Sequence, residues 1–325
     1  MLTSQWTAPT AVDPVNAEIR LPGSKSMTAR ALVLSALAAE PSTLRLPLRA
    51  RDTELMAAGL RAMGTQVSTD DDDLWLVRPR PPHGHAEINV GLAGTVMRFL
   101  PPVAAIADGP VVFDGDAWAR RRPLGPLIGA LRALGVRIDA SDTDGLPLSV
   151  HGTGQVNGGA VTIDASASSQ LVSGLLLAGA SFVGGLRLDH VGPPVPSAPH
   201  LHMTVQMLRA AGATVDDGTP DRWTVRPGRL AGRAWQIEPD LSGAAPFLAA
   251  ALVTGGSVTV PGWPQRTTQP GDRLRQLLAA MGGVPELTPD GLTVRGTGVI
   301  NGLDADLSEV SELTPVIAAL AALAG

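Results

Sequence analysis

The 325-residue sequence contains no cysteine. That absence excludes disulfides, thiolate metal sites and a cysteine nucleophile, and is in keeping with a cytoplasmic protein. The N-terminal MLTSQWTAPTAVDPV lacks a basic start followed by an apolar run, so no secretory signal is read there. Long apolar runs are missing as well. The most apolar stretches, residues 171–180 and 314–324, fall short of the ~20 residues that span a bilayer and are expected as buried core helices, with no membrane partner. Charge of one sign is not in excess either: 25 Lys and Arg face 30 Asp and Glu, for a formal net charge of −5 and a pI of about 5.7. Bulk attraction to nucleic acid is thereby excluded, and any anionic ligand must be caught by a local cluster.

What the sequence does contain is repetition. Hydrophobic residues make up 44% of the chain, enough for large cores, and the length calls for two domains. One phrase, a helix end followed by glycine, a short strand, a polar turn and a second strand, occurs four times: LRAMG from Leu60, LRALG from Leu131, LRAAG from Leu208 and LAAMG from Leu278. The glycines, Gly64, Gly135, Gly212 and Gly282, lie 71, 77 and 70 residues apart. Each suits the position just past a helix C-terminus, where positive φ is needed. A second phrase, a strand, a cluster of small residues and an apolar helix, recurs from Leu21, Val90, Ile163, Ile237 and Leu303.

Together the two phrases give a βαβαββ unit, which builds mixed sheets faced by helices. Three units fill the span up to Arg233, and the polar joint at residues 227–233 is read as a boundary. The expected domains are residues 22–233, with three repeats, and residues 1–21 plus 234–325, with one repeat and the start of another. Residues 17–21 are expected to run into the second domain.

The small-residue clusters open the apolar helices, where unsatisfied backbone N–H groups and the positive dipole end favour anions. Lys25, Arg30, Arg98, Arg120, Arg121 and Arg122 bring cations to these starts. Ser24, Ser26, Thr95, Ser168, Ser169 and Gln170 bring hydrogen bonds. If three such helices pack about a pseudo-threefold axis, their starts converge into a cleft suited to phosphate and carboxylate. On residue type alone, Lys25 reads as a solvated lysine and the Arg120–Arg122 run as a basic patch, whereas Ser168 reads equally as a helix cap or a ligand. The acidic run at residues 70–73 lies in a hairpin turn, and His83 and His85 lack the i,i+4 spacing of a zinc pair, so no metal site is assigned.

The motifs add a family. LPGSKSMTAR at residues 21–30 resembles the opening signature of the EPSP synthases, and LAGTVMRFL at residues 92–100 resembles their NAGTxMR segment. ARRRPLGPLIGAL, SASSQLVSGLLLAG and PSAPHLHMT match further blocks in the same order. The resemblance implies an α/β fold of two inverse α/β barrel-like domains built on pseudo-threefold axes. It implies transfer of the enolpyruvyl group of phosphoenolpyruvate to the 5-hydroxyl of shikimate 3-phosphate, with release of phosphate and with no cofactor or metal. By the same resemblance, Lys25 contacts both substrates, and Ser26, Arg30, Ser168, Ser169, Gln170 and Ser197 bind shikimate 3-phosphate. Gly94, Arg122 and Gln170 belong to phosphoenolpyruvate, whereas Arg120 and Arg121 remain surface residues. Glu312 is the expected base and a further contact of shikimate 3-phosphate, with Glu309 as the alternative.

Leu92, His200 and Glu312 depart from the family's usual Asn, Tyr and Asp. A UDP-N-acetylglucosamine enolpyruvyl transferase shares the repeats, but its lysine–asparagine pair and loop cysteine are absent. An inactive module binding shikimate 3-phosphate is the other alternative. Because the fifth repeat breaks off at Gly325, the second domain is expected to be incomplete, turnover low or absent, and the apolar face of residues 314–324 exposed. The full-length form is expected to be a monomer.

Overall fold

The computed structural model describes residues 10–325. The chain divides into a larger unit, Pro22–Glu238, and a smaller one composed of Met1–Leu21 and Pro239–Gly325. Among the described residues there are four sheets of four strands, all wound alike. In the larger unit, Ala86–Asn89 pairs parallel with Pro110–Asp114, which pairs antiparallel with Leu148–His151, itself antiparallel to Arg137–Ala140. Gly159–Ile163, Leu186–His190, Arg222–Val225 and Val215–Asp216 repeat this order. The four repeat glycines, Gly64, Gly135, Gly212 and Gly282, all take φ between 87° and 98°, as a helix-terminating residue without Cβ allows.

The remaining two sheets exchange a strand. Asn16–Glu18, which precedes the first repeat in sequence, pairs parallel with Ser257–Pro261 of the smaller unit, with Asn16 opposite Ser257. Ala234–Gln236, which opens the fourth repeat in sequence, pairs parallel with Ser42–Arg45 of the larger unit, with Ala234 opposite Thr43. The division therefore falls after Glu238 rather than at Arg233. Its cause is packing: Trp235 and Ile237 lie in the larger unit's core, and the Trp235 indole donates to Ser35 Oγ at 3.1 Å. The joint before this strand is also fixed, since Leu230 is buried and its carbonyl accepts from Ala39 N–H at 2.8 Å.

Three helices, Lys25–Ala36, Gly94–Ala104 and Ser169–Gly179, pack against one another in the larger unit. They are apolar all round because they are enclosed all round. Thr28–Ala36 and Thr95–Ala104 are buried without interruption, and Gln170 is the one residue of Ser169–Gly179 that is not. Gly174 makes the crossing with Gly94–Ala104 possible, since a Cβ there would fall 2.1 Å from the Arg98 carbonyl oxygen. The outer helices Arg51–Ala62, Gly125–Ala133 and Pro199–Ala210 cover this centre with one face each.

The smaller unit packs its own core around Leu248, Leu252, Val260, Leu292 and Leu313. Its helices Ala245–Thr254 and Thr314–Ala321 touch each other. Each leaves apolar residues in solvent, Phe247 and Val253 on the first and, just beyond the second, Leu323. No described helix is long and apolar enough to cross a membrane.

Candidate functional site

Two of the three central helices of the larger unit begin with a serine cap. Ser24 caps Lys25–Ala36, its hydroxyl accepting from Met27 N–H at 3.4 Å. Ser168 caps Ser169–Gly179, accepting from Gln170 N–H at 3.3 Å. The cap position of Gly94–Ala104 is Ala93, which has no side-chain acceptor. The first amides of that helix are left for another partner.

Three polar groups converge over this uncapped start. A Cβ built on Gly94 would lie 2.9 Å from Arg98 Nη1, 2.9 Å from Gln170 Oε1 and 3.0 Å from Arg122 Nη1. The glycine thus clears a space between two guanidinium groups that come within about 6 Å of each other. Arg98 Nη1 donates to Gln170 Oε1 at 3.1 Å, and its Nη2 to the Pro123 carbonyl at 3.4 Å. Arg122 Nη1 donates to the Leu92 carbonyl at 2.9 Å. Among the described residues no carboxylate pairs with either arginine. Burial, and secondarily the charge of Arg122, lowers the Arg98 pKa to about 10, so the guanidinium stays protonated at neutral pH. Arg98 Nε and Thr95 Oγ1 are buried without a hydrogen-bond partner. Two guanidinium groups with neutral acceptors only, beside two unpartnered buried polar atoms, are suited to an anion.

The other two arginines of the run are committed elsewhere. Arg120 grips Asp114 through Nε and Nη2 at 2.9 and 2.7 Å, and Arg121 stacks 4.6 Å over the Trp118 ring. Of the three, Arg122 is the one that borders Gly94.

Lys25 is exposed and lies 3.7 Å from Asp52 at the start of Arg51–Ala62, a partner that sequence reading did not identify. Ser26 is half-buried, and Ser169 is buried beside the cap Ser168. Ser197 adopts a left-handed φ of 52° just before Pro199–Ala210, and its carbonyl accepts from His200 N–H.

Arg30 is enclosed, with 1% of its surface exposed. Its Nε donates to Thr204 Oγ1 at 2.7 Å, Nη1 to the Ser26 carbonyl at 3.0 Å, and Nη2 to Ser173 Oγ and the His200 carbonyl at 3.3 and 3.2 Å. The Phe99 ring lies beneath it at 5.3 Å. All four acceptors are neutral. Burial lowers its pKa to about 9, so the cation stays charged, and among the described residues no carboxylate pairs with it. Burial and then the charge of Arg30 push His200 down to about 4, so the imidazole is neutral at physiological pH.

In the smaller unit, Glu312 is exposed, and its carboxylate accepts from Ser242 Oγ at 3.4 Å. Partial burial of the carboxyl group and the negative charge of Asp240 hold its pKa above the ordinary range. Glu309, the alternative, is also exposed. Residues 70–73, which carried no functional assignment, are engaged in turn contacts: Asp70 accepts from Ser68, Asp71 from Asp73 N–H, and Asp72 pairs with Arg49.

Sequence reading placed Arg98 among the helix-start cations without giving it a ligand. The missing signal was its proximity to Gln170, 72 residues away, which the i,i+4 relation to Gly94 alone does not reveal.

Known proteins share this fold. EPSP synthase from Acinetobacter baumannii superposes with a TM-score of 0.78 at 24% identity, over 96% of this chain and 73% of that one. A second structure of that enzyme gives 0.77. The enolpyruvyl transferase NikO from Streptomyces tendae gives 0.71 at 18% identity, over 96% of this chain and 74% of the other. At these identities the structures establish the fold. The sequence model of the EPSP synthases, the 3-phosphoshikimate 1-carboxyvinyltransferases, matches residues 9–325. The chain belongs to the EPSP synthase family, transferases of the shikimate pathway whose substrates are shikimate 3-phosphate and phosphoenolpyruvate.

Proposed function

We propose that the space over Gly94, bounded by Arg98, Gln170 and Arg122, receives phosphoenolpyruvate, and that the serine-capped helix start beside it holds shikimate 3-phosphate. The observation supporting this reading is the pair of carboxylate-free guanidiniums around a missing side chain. Phosphoenolpyruvate carries a carboxylate and a phosphate, and two forked cations suit both. Gln170, already bonded to Arg98, bridges the two substrates. Ser168, Ser169 and Ser197 bind the phosphate of shikimate 3-phosphate, and Ser26 its ring hydroxyls. Arg30 supplies uncompensated positive charge for its carboxylate from beneath. Lys25 serves both substrates, held until then by Asp52.

In the reaction, the 5-oxygen of shikimate 3-phosphate bonds to C2 of the enolpyruvyl group and the bond from C2 to the phosphate oxygen breaks. The hydroxyl proton leaves with a base, for which we propose Glu312. A pKa raised by burial makes a carboxylate a stronger base than it is in water. The cations stabilise charge that gathers on the departing phosphate. The protein acts as a monomer in the cytoplasm on this reading, in line with the family's soluble small-molecule substrates.

Isothermal titration with shikimate 3-phosphate, with and without phosphoenolpyruvate, together with phosphate release in the presence of both, tests the assignment. Binding of the first substrate that strengthens binding of the second, followed by phosphate release, is expected. Binding of shikimate 3-phosphate with no effect on phosphoenolpyruvate would reduce the chain to a one-ligand module.

A further inference from the structure

We propose that His190 is a positioning residue that sets the spacing of the two loops bearing the phosphate-binding serines; this rests on the assignment of Ser168, Ser169 and Ser197 given above. His190 ends the strand Leu186–His190, opposite Ile163 in the parallel pair, and is 8% exposed. Its ring bonds to both loops. Ala165 N–H donates to Nδ1 at 3.2 Å, which makes Nδ1 the acceptor and puts the ring proton on Nε2. Nε2–H then donates to the Pro193 carbonyl at 2.9 Å. The Ile163 carbonyl also lies 3.2 Å from Nδ1, but it already accepts from Val191 N–H at 3.1 Å and does not require the ring proton.

From each bond a short path leads to a serine. On one side, the Ala165 carbonyl accepts from Ser168 N–H at 3.0 Å, the Ser168 hydroxyl caps Gln170 N–H, and Gln170 bonds Arg98. On the other side, Pro193 lies four residues before Ser197, whose backbone is in the left-handed region. The loops also adjoin directly: a Cβ on Gly192, at φ 109°, would sit 3.1 Å from the Asp164 carboxylate. The imidazole is a strut between them, joined at both ends, and it touches no substrate.

A buried, satisfied histidine often does no more than stabilise its core, so the test must separate placement from stability. Shikimate and shikimate 3-phosphate differ only in the phosphate that these serines are assigned to hold. Calorimetric titration of both ligands into the wild-type chain and into the His190→Leu, His190→Asn and His190→Gln variants makes the separation. His190→Leu removes both bonds and should raise the Kd for shikimate 3-phosphate about tenfold. The Kd for shikimate should change by less than about twofold. Asn retains an acceptor near Nδ1 and Gln a donor near Nε2, so each should give an intermediate loss confined to the phosphorylated ligand. Equal losses for both ligands, or lowered melting temperatures with no change in the Kd for shikimate 3-phosphate, would overturn the proposal. If His190→Leu does not fold, the two single-bond variants decide by the same criterion. A wild-type chain that does not prefer shikimate 3-phosphate to shikimate would instead overturn the serine assignment and the strut with it.

Discussion

In the larger unit, the central helices begin with Lys25, with Gly94 beside Arg98 and Arg122, and with Ser169 and Gln170 behind the Ser168 cap. In the smaller unit, the corresponding helical starts, Ser242–Ala244 and Ser308–Leu313, carry Asp240, Glu309 and Glu312. The repeat is the same, a strand leading into a small-residue turn and an apolar helix, yet one unit presents cations and hydroxyls and the other carboxylates. Burial shifts each set in the direction its surroundings dictate: Arg98 falls to about 10, and Glu312 rises. One architecture therefore presents opposite charges in its two units, because the helix start fixes position and the side chains fix charge.

Removing a cation should show this division most strongly. Lys25→Met is expected to lower turnover by on the order of 10³ or more, because one ammonium serves two anions. Near-normal phosphate release by that variant would remove Lys25 from the site. On the carboxylate side, Glu312→Gln should cost about 10² in kcat through loss of the base, with shikimate 3-phosphate affinity nearly retained. If Glu309→Gln has the larger effect, the alternative base is the correct one.

A smaller effect is expected at Gly94. The added methyl of Gly94→Ala meets the mobile ends of Arg98, Gln170 and Arg122 rather than backbone, so these side chains shift and the fold tolerates the change. Alanine is also the better helix former, by about 1 kcal/mol. Phosphoenolpyruvate should bind about tenfold more weakly, with unchanged shikimate 3-phosphate affinity and an equal or higher melting temperature. Titration of the two ligands checks this, and unaltered phosphoenolpyruvate binding would return Gly94 to a purely conformational role.

A further effect is expected on stability. His200 has a folded pKa of about 4 against an ordinary value of 6.5, so between these values the unfolded chain binds the additional proton. Stability is full above about pH 6.5, declines as the pH falls and levels off below about 4. His200→Gln should lack this part of the decline, about 2 kcal/mol allowing for partial exposure. Denaturation curves at pH 7.5 and 4.5 would show it as a reduced pH dependence.

The βαβαββ unit was legible because its signals are local: a glycine after each outer helix, alternating strands and an unbroken apolar run in each central helix. The strand exchange was only half legible. Asn16–Glu18 and Ala234–Gln236 are three residues each, and nothing within three residues specifies a partner some 190 to 240 positions away. Trp235 held the clue, since an indole in so polar a neighbourhood needs both a core and a hydrogen-bond acceptor, and Ser35 supplies the latter.

At the site, the motif strings pointed to Gly94, Arg122 and Gln170, which the structure brings together. The full enclosure of Arg30 among neutral acceptors was not legible, because Thr204, Ser173 and the His200 carbonyl come from distant helices. His190 carried no assignment from the sequence. Its two loop contacts exist only once Gly159–Ile163 lies alongside it.

The Arg98–Arg122 pair over Gly94 is where we propose that phosphoenolpyruvate is held. Phosphoenolpyruvate should be titrated calorimetrically, with saturating shikimate 3-phosphate, into the wild-type chain and Arg122→Met. Arg122 is exposed and its removal leaves the core intact. The account predicts that the phosphoenolpyruvate Kd rises about 100-fold while that of shikimate 3-phosphate stays within about twofold. Phosphoenolpyruvate affinity indifferent to the loss of Arg122 would contradict it.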